Sequence, residues 1–189
     1  MRQMVAIDEK PVPELLEALK SKDDTERYGS FQTLLRLSEE DPAALYPHWD
    51  FLAGMLDAKN AYWKLSSVRL LANLTRVDSQ NKFEKLFDKY YDLLNDSVII
   101  AGHITAESGK IALAKPNLQA AITDRLLNID KTTQKHKDLI KAGAIESLDQ
   151  YFAEAEDKEK IVEFVRQQLD GESPKTRKIA REFLKKWGN

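Results

Sequence analysis

The sequence contains no cysteine, and this absence excludes several classes of protein at once. None of its 189 residues can form a disulfide, a thiolate metal site, an iron–sulfur cluster or a cysteine nucleophile. Glycine and proline are few, with seven and six residues, while hydrophobic residues make up 42% of the chain. Disordered and low-complexity chains have the opposite composition, so an ordered domain is expected.

Neither one sign of charge nor a long apolar run dominates the sequence. Lysine and arginine number 29 against 31 acidic residues, and this balance gives no general reason to bind nucleic acid or acidic membranes. No stretch approaches the ~20 apolar residues that cross a bilayer. The apolar run near Met1 is too short for a signal peptide. The expectation is a cytoplasmic protein that does not bind membranes.

Apolar residues recur at the spacing of amphipathic α-helices along almost the whole chain. Leu15, Leu16 and Leu19, for example, share one helical face. No Asn-Gly or Asp-Gly turn stands between alternating runs, and the only strand candidate is the segment 4–7. Five prolines lie at expected helix starts, where a missing N–H costs nothing: Pro13, Pro42, Pro47, Pro116 and Pro174. The sequence therefore predicts an all-α protein.

Short polar turns interrupt the predicted helices at a regular interval. Each turn follows a leucine at the end of an apolar face and contains an aspartate. These aspartates are Asp23, Asp57, Asp96, Asp130 and Asp170. Their spacings are 34, 39, 34 and 40 residues, and the mean of about 37 falls in the range of stacked repeats. Each repeat would consist of a shorter helix, a tight turn and a longer helix.

The longer, second helices of these repeats can be aligned with one another. Residues 27–37 align with residues 64–74 without a gap, and residues 177–184 follow the same plan. Each segment begins with a basic residue that precedes a small residue by three positions. Together with the turn aspartate and the paired leucines, this pattern resembles HEAT repeats, including the short kind found in phycobilin-lyase-type proteins. The resemblance covers roughly residues 12–187 and weakens in the third and fourth units.

The resemblance implies a right-handed α-α superhelix, or solenoid, of about five HEAT-like helical pairs in a single domain. The units would span about residues 12–40, 42–78, 80–115, 117–155 and 157–187. One helical pair cannot bury its own apolar face, whereas stacked pairs share a continuous core. In this family the second helices line the concave surface.

Polar stripes remain on the second helices once the core positions are removed. In the second unit, Arg69, Asn73 and Arg76 follow one another at steps of four and three. The predicted partner-binding residues are Gln32, Arg36, Arg69, Asn73, Arg76, His103, Lys110, Glu146 and Gln150. Since the early and middle part of this set is basic within an acidic protein, an acidic protein segment is the expected partner.

Neither catalysis nor metal binding is predicted. The three histidines, His48, His103 and His136, fall in different units, whereas a zinc site needs three or four converging ligands. The segment 102–111 resembles a phosphate-binding loop only faintly, with the wrong glycine spacing and a position inside a helix. Glu107 occupies a position where the second unit has an apolar residue. It is expected at the edge of the core or hydrogen-bonded within it. No cofactor is expected.

The expected function is that of a non-catalytic adaptor or scaffold, which binds a partner protein in the concave face. DNA glycosylases with HEAT-like repeats exist, so nucleic-acid binding or repair remains the alternative, and a lyase-like chaperone for a small molecule is a third. Nucleic acid is the less favoured partner because the dense basic run lies only in residues 175–186. Trp187 is expected to seal the end of the core.

Overall fold

A computed structural model describes residues 10–188, and within them it contains helices and turns but no strand. The all-α fold class predicted from the sequence is confirmed. The strand candidate at residues 4–7 lies outside the described residues. The α-helices are α1 (Val12–Ala18), α2 (Asp24–Glu40), α3 (Pro42–Leu45), α4 (Trp49–Met55), α5 (Ala61–Leu74), α6 (Lys82–Asp92), α7 (Val98–Ala114), α8 (Gln119–Leu127), α9 (Lys137–Tyr151), α10 (Lys158–Gln167) and α11 (Pro174–Trp187).

The chain forms two compact units, one ending at Gln80 and the other beginning at Asn81. Unit 1 contains α1 to α5 and unit 2 contains α6 to α11. In both units a shorter helix precedes a longer one. We call α1, α4, α6, α8 and α10 the first helices and α2, α5, α7, α9 and α11 the second helices. No helix in the described part of the chain is both long and apolar enough to cross a membrane.

Polar side chains fix the starts of four of the five second helices, α9 being the exception. The Asp23 carboxylate accepts hydrogen bonds from the Thr25 and Glu26 amides, at 2.8 and 3.2 Å. Similar N-caps start three further second helices, and they are formed by Asn60, Ser97 and Ser173. Such a side chain satisfies one of the amides that a helix leaves without a partner at its N-terminus. The boundaries of these helices therefore follow from the turn residues.

The basic residue at the start of a second helix bonds back to the turn before it. An Arg27 guanidinium nitrogen donates to the Ser21 carbonyl at 2.9 Å. In the last pair of helices, Arg177 donates to the Gly171 and Glu172 carbonyls, at 2.6 and 2.9 Å. Both arginines thus satisfy carbonyl groups in the turn that joins a first helix to its second helix. This contact gives a physical reason for the basic position in the repeat pattern.

Long-range hydrogen bonds join residues that are about one repeat apart. In each unit, side-chain groups bond across a separation of 35 to 38 residues. The bonded pairs are Tyr62 with Arg27, Asn73 with Ser38, Arg125 with Asp88, Thr176 with Asp138, and Trp187 with Asp149. This separation equals the interval of about 37 residues between the turn aspartates. Equivalent positions of successive repeats therefore lie side by side within each unit.

In unit 2, α7 and α9 pack closely because small residues meet at their contact. A Cβ atom added to Gly143 would lie 2.7 Å from Thr105 Oγ1 and 3.1 Å from the Ala106 nitrogen. The Ser147 hydroxyl donates to the Thr105 carbonyl at 2.6 Å and accepts from the Gly109 amide at 2.9 Å. That carbonyl and that amide are partners in an unbroken α-helix. Ser147 therefore joins α9 directly to the backbone of α7.

Aromatic residues join the last helix to α9. The Phe183 and Phe152 rings meet edge to face with their centroids 5.1 Å apart, and both side chains are buried. The Trp187 ring lies 5.0 Å from the Phe152 ring, and its indole N–H donates to Asp149. Such contacts add to the stabilisation from buried area. Half-buried Trp187 thus packs against the end of unit 2.

Tyrosines with raised pKa values predict a loss of stability at high pH. Burial raises the pKa of Tyr46 and Tyr151 from 10.0 to about 12, and it also raises the pKa of Tyr90 and Tyr91. The contribution of these tyrosines to the free energy of unfolding should therefore be constant up to about pH 10 and should fall above it, because the unfolded chain then loses protons that the folded chain retains.

A spectrophotometric titration can test this expectation. While the circular dichroism remains native at about pH 11, these four of the six tyrosines should still be protonated. Ionisation of all six tyrosines in the folded chain at that pH would contradict the described core.

Candidate interaction surface

Within residues 10–188, the large apolar side chains that remain exposed all lie on second helices. Among residues 10–188, the large apolar side chains that remain exposed are Tyr28, Ile99, Leu113 and Leu139, at 61, 63, 48 and 58%. They lie on α2, α7 and α9. Isolated exposed apolar residues are ordinary on protein surfaces. Their restriction to one class of helix distinguishes the surface of the second helices from the rest of the described surface.

In unit 1, the second helix α5 carries an excess of positive charge, whereas α2 contains four acidic and two basic residues. The exposed side of α2 presents Tyr28, Gln32 and Arg36 at steps of four, so the three lie along one line of the helix. Residues 61–77, which form α5 and the 3-10 turn after it, contain three basic residues and no acidic one. By contrast, α1 contains two glutamates and no basic residue. The positive charge of unit 1 is thus concentrated away from its first helices.

Three predicted site residues in the second pair of helices have different environments. Arg69 is half-buried, and its guanidinium lies over the Phe31 ring at 5.5 Å from the centroid. Asn73 is only 3% exposed and donates a hydrogen bond of 2.8 Å to Ser38 Oγ. Arg76 is exposed. The structure therefore places the Asn73 amide inside the packing of α5 against α2, and it leaves the other two residues nearer the surface.

Arg76 combines a structural role with its exposed charge. Its Nη2 atom donates to the Ser38 and Glu39 carbonyls at 3.1 and 2.7 Å. Both carbonyls belong to the last turn of α2, where helices leave carbonyl groups without intrahelical partners. A cation there also interacts favourably with the helix dipole. The orientation of this guanidinium is consequently fixed.

In unit 2 the predicted site residues lie on the adjacent helices α7 and α9. On α7, half-buried His103 and Lys110 are seven residues apart and share one side of the helix. On α9, Glu146 and Gln150 are exposed. The Gln150 amide lies so close to Gly109 that a Cβ added to the glycine would be 2.6 Å away. The structure thus brings Gln150 next to the helical turn that contains Lys110.

Glu107 is a buried member of an ion pair. Its side chain is 8% exposed and its Oε2 atom lies 2.7 Å from the Lys110 ammonium, whose side chain is 42% exposed. The Glu107 charge contributes to the raised pKa of Tyr90, after the larger effect of burial and the effect of Tyr91. Within residues 10–188 no cluster of three or more histidine, aspartate or glutamate side chains could hold a metal ion. Glu107 therefore neutralises a cation that faces solvent.

The apolar part of this surface was missing from the sequence-based prediction. Helical spacing predicts that apolar residues lie in the core, so the predicted partner-binding set does not contain Ile99, Leu113 or Leu139. The sequence of α7 could have indicated exposed apolar residues, because the helix begins with Val98, Ile99, Ile100 and Ala101 in succession. Consecutive residues of a helix point in different directions, so one buried stripe cannot accommodate all four. Some of them must face solvent or a partner.

Comparison with known proteins shows the fold. The chain matches no protein-family model and no curated protein sequence. It is similar to the crystal structure of an engineered protein, with a TM-score of 0.59 and 16% identity over 94% of this chain and 79% of the other. It is also similar to a designed armadillo repeat protein, with a TM-score of 0.55 and 17% identity over 94% of this chain and 87% of the other. The chain therefore has an all-α helical-repeat solenoid fold.

Proposed function

We propose that the chain is a non-catalytic protein-interaction module that binds a partner segment on the exposed surfaces of its second helices. The observation that carries this proposal is that, among residues 10–188, the exposed large apolar side chains all lie on α2, α7 and α9. Protein-binding surfaces combine apolar contact area with polar groups that select the partner. The second helices provide both, since Gln32, Arg36 and Gln150 are exposed on them as well.

The partner that we propose is an acidic protein segment. In unit 1, residues 61–77 are basic without any acidic residue, and Arg76 holds an exposed guanidinium in a fixed orientation. Guanidinium groups form strong charge-assisted hydrogen bonds with carboxylates, and a fixed group loses less entropy on binding. An acidic segment would therefore gain affinity and association rate in this unit.

We also propose that the repeats are of the HEAT-like type and that five of them form a single domain. The turn contacts of Arg27 and Arg177 and the N-cap of Asp23 support the HEAT-like type. Each proposed repeat contains one first helix and one second helix. The boundaries remain those expected from the sequence, at about 12–40, 42–78, 80–115, 117–155 and 157–187.

Ion pairs on α11 favour a protein partner over nucleic acid. Lys186 lies 2.9 Å from Asp149, and Lys175 lies 3.8 Å from Glu146. Lys178 lies 3.9 Å from Glu182 on the same helix. The dense basic run of residues 175–186 is thus partly neutralised by carboxylates of α9 and α11. This reduces the unbalanced positive charge that binding to phosphates needs.

Capture from a cytoplasmic extract tests the proposal. The immobilised chain should retain a stoichiometric protein partner, and Arg36→Glu should reduce that retention at least tenfold, because it reverses an exposed charge on α2. Lys85→Glu is the matched control, since it makes the same charge change at an exposed position of α6. The control should retain the partner as well as the unmodified chain does. Retention that is equal in all three proteins, or retention of nucleic acid alone, would contradict the proposal.

A further inference from the structure

One side of α11 exposes a row of cations. Lys178, Arg181 and Lys185 are exposed and follow one another at steps of three and four, so they lie on one side of the helix. We call these three residues the α11 strip. At about 1.5 Å per residue, the strip runs for roughly 10 Å along α11. The buried residues of α11 lie on its other side, and they are Thr176, Ala180 and Phe183.

The positive charge of the α11 strip is not balanced within its own helix. Neither Arg181 nor Lys185 forms an ion pair with any carboxylate of residues 10–188. Lys178 lies 3.9 Å from Glu182, and the two side chains remain mostly exposed, at 74 and 64%. An ion pair that is exposed to this extent contributes little and leaves the ammonium group accessible. An approaching molecule therefore meets an excess of positive charge.

The carboxylates of α9 that lie near α11 pair with lysines outside the strip. Glu146 Oε2 lies 3.8 Å from Lys175 Nζ, and Asp149 Oδ1 lies 2.9 Å from Lys186 Nζ. The negative charge of the neighbouring helix is thus engaged elsewhere, and it does not neutralise the α11 strip.

The stability of α11 does not account for the whole strip. Lys185 is in the last turn of the helix, where a cation interacts favourably with the helix dipole. Lys178 and Arg181 are in earlier turns, and the effect of the dipole is limited to the last turn. Within the described part of the chain neither of them donates to a backbone carbonyl, whereas Arg177 donates to two. Their charges therefore remain available to a ligand.

The α11 strip selects charge rather than a folded surface. Among residues 10–188, the exposed large apolar side chains lie on α2, α7 and α9, and none lies on α11. A segment that folds into a helix on binding needs apolar contacts to offset the entropy that it loses. A disordered acidic segment can instead form charge-assisted hydrogen bonds and keep most of its freedom. The strip therefore suits an acidic segment that stays disordered.

The small number of cations favours protein carboxylates over nucleic acid. Affinity for nucleic acid grows with the number of phosphates that a protein neutralises, and the α11 strip provides only three cations. The strip also contains no aromatic side chain on which a base could stack. A short run of aspartate or glutamate residues needs neither a longer basic surface nor a stacking platform.

We propose that the α11 strip binds an acidic, disordered segment of the partner protein, in which about three aspartate or glutamate residues lie close together. The proposal deepens the proposed function and rests on it, because it describes the part of the partner that contacts the last second helix. The contact is exposed to solvent, so its affinity is modest and falls as salt is added.

NMR of the isotope-labelled full chain tests the proposal with two synthetic peptides of about ten residues. The first contains four consecutive glutamates among glycine and serine, and the second has glutamine for each glutamate. The first peptide should shift the Arg181 side-chain Nε–H signal and the amide signals of the α11 strip, and the second should not. The dissociation constant of the first peptide should rise at least tenfold between about 50 and about 500 mM salt.

Variants of the chain locate the binding. Arg181→Glu combined with Lys185→Glu should weaken binding of the glutamate peptide at least tenfold and leave the circular dichroism spectrum unchanged, because both side chains are exposed. Lys22→Glu combined with Lys85→Glu is the matched control, since it makes the same change in net charge at exposed positions outside α11. The control should keep the affinity of the unmodified chain.

Four results would overturn the α11 proposal. Two of them are equal shifts with both peptides and an unchanged affinity in the Arg181→Glu and Lys185→Glu variant. The third is single-stranded DNA of about ten nucleotides that binds at least tenfold more tightly than the glutamate peptide, which would identify nucleic acid as the ligand. The fourth is a concentration-dependent association of the unmodified chain that the double variant abolishes, which would identify a second copy.

The peptide and extract experiments separate this proposal from the proposed function. If the extract yields a partner sensitive to Arg36→Glu while the glutamate peptide fails to bind, only the role of the α11 strip is wrong. If the glutamate peptide binds to the strip while the extract yields no partner, only the proposed function is wrong.

Discussion

Gly143→Leu is expected to lower the free energy of unfolding by about 3 kcal/mol or more. A Cβ at this position would already lie 2.7 Å from Thr105 Oγ1 and 3.1 Å from the Ala106 nitrogen, and the second atom belongs to the backbone of α7. A leucine side chain therefore forces α7 and α9 apart and disturbs the Ser147 bonds to α7. Inside a helix, leucine is more favourable than glycine by about 1 kcal/mol. Helix propensity alone would therefore raise the stability of Gly143→Leu, and the expected loss comes from the steric clash.

Gly54→Ala is the matched control for this prediction. Gly54 lies in α4, and a Cβ added there has no neighbour within 4 Å. The substitution should therefore raise the stability by up to about 1 kcal/mol through helix propensity. Urea unfolding followed by circular dichroism measures both variants. A Gly143→Leu protein with an unchanged midpoint would show that α7 and α9 are not in close contact.

Phe183→Ala is expected to cost about 3–5 kcal/mol. The side chain is 3% exposed, and its ring meets Phe152 edge to face at 5.1 Å. Its removal leaves a cavity between α11 and α9 and loses the aromatic contact. Trp187 packs on the same Phe152 ring, so its fluorescence should shift to longer wavelength as the C-terminal end of α11 loosens.

Hydrogen exchange shows whether this loss is local or global. In a repeat protein each unit contacts only its neighbours, so the amides of α10 and α11 should lose more protection than those of α6 and α7. Lys185→Ala, at an exposed position of α11, should change the stability by no more than about 0.5 kcal/mol. Unchanged stability of Phe183→Ala would contradict the described packing of the last helix.

The repeat pattern could be predicted from the sequence because local chemistry determines it. Turn residues such as Asp23 cap the helices that follow them, and the turn aspartates recur at an interval that the long-range hydrogen bonds reproduce. Helical spacing of apolar residues and N-cap side chains act over a few residues, so a single sequence contains them. This accounts for the agreement in fold class and in the order of shorter and longer helices.

The environment of each site residue could not be predicted in the same way. Asn73 and Gln32 are both polar residues of second helices, but Asn73 is buried against Ser38, a residue 35 positions earlier. Its burial depends on how closely α5 approaches α2, and that distance is set by side chains of another repeat. The burial of Glu107 is equally difficult to predict. Its ion pair with Lys110 offsets the cost of burying the carboxylate.

Exposed apolar residues were the largest omission of the sequence-based prediction. Ile99 and Ile100 are adjacent in sequence and identical in type, yet Ile99 is 63% exposed and Ile100 is fully buried. Hydrophobicity alone cannot distinguish them, because the direction of each side chain depends on where the neighbouring helix packs. The packing of the helices around α7 determines which of the two faces solvent.

Site-specific photo-crosslinking measures most directly whether the second helices bind a partner. A benzophenone side chain would be placed at Gln32 and Gln150, which are exposed on α2 and α9, and at Lys85 and Arg166, which are exposed on α6 and α10. In a cytoplasmic extract, the first two positions should crosslink the same protein and the last two should not. Crosslinks from Lys85 and Arg166 instead, or equal crosslinking from all four positions, would contradict binding by the second helices.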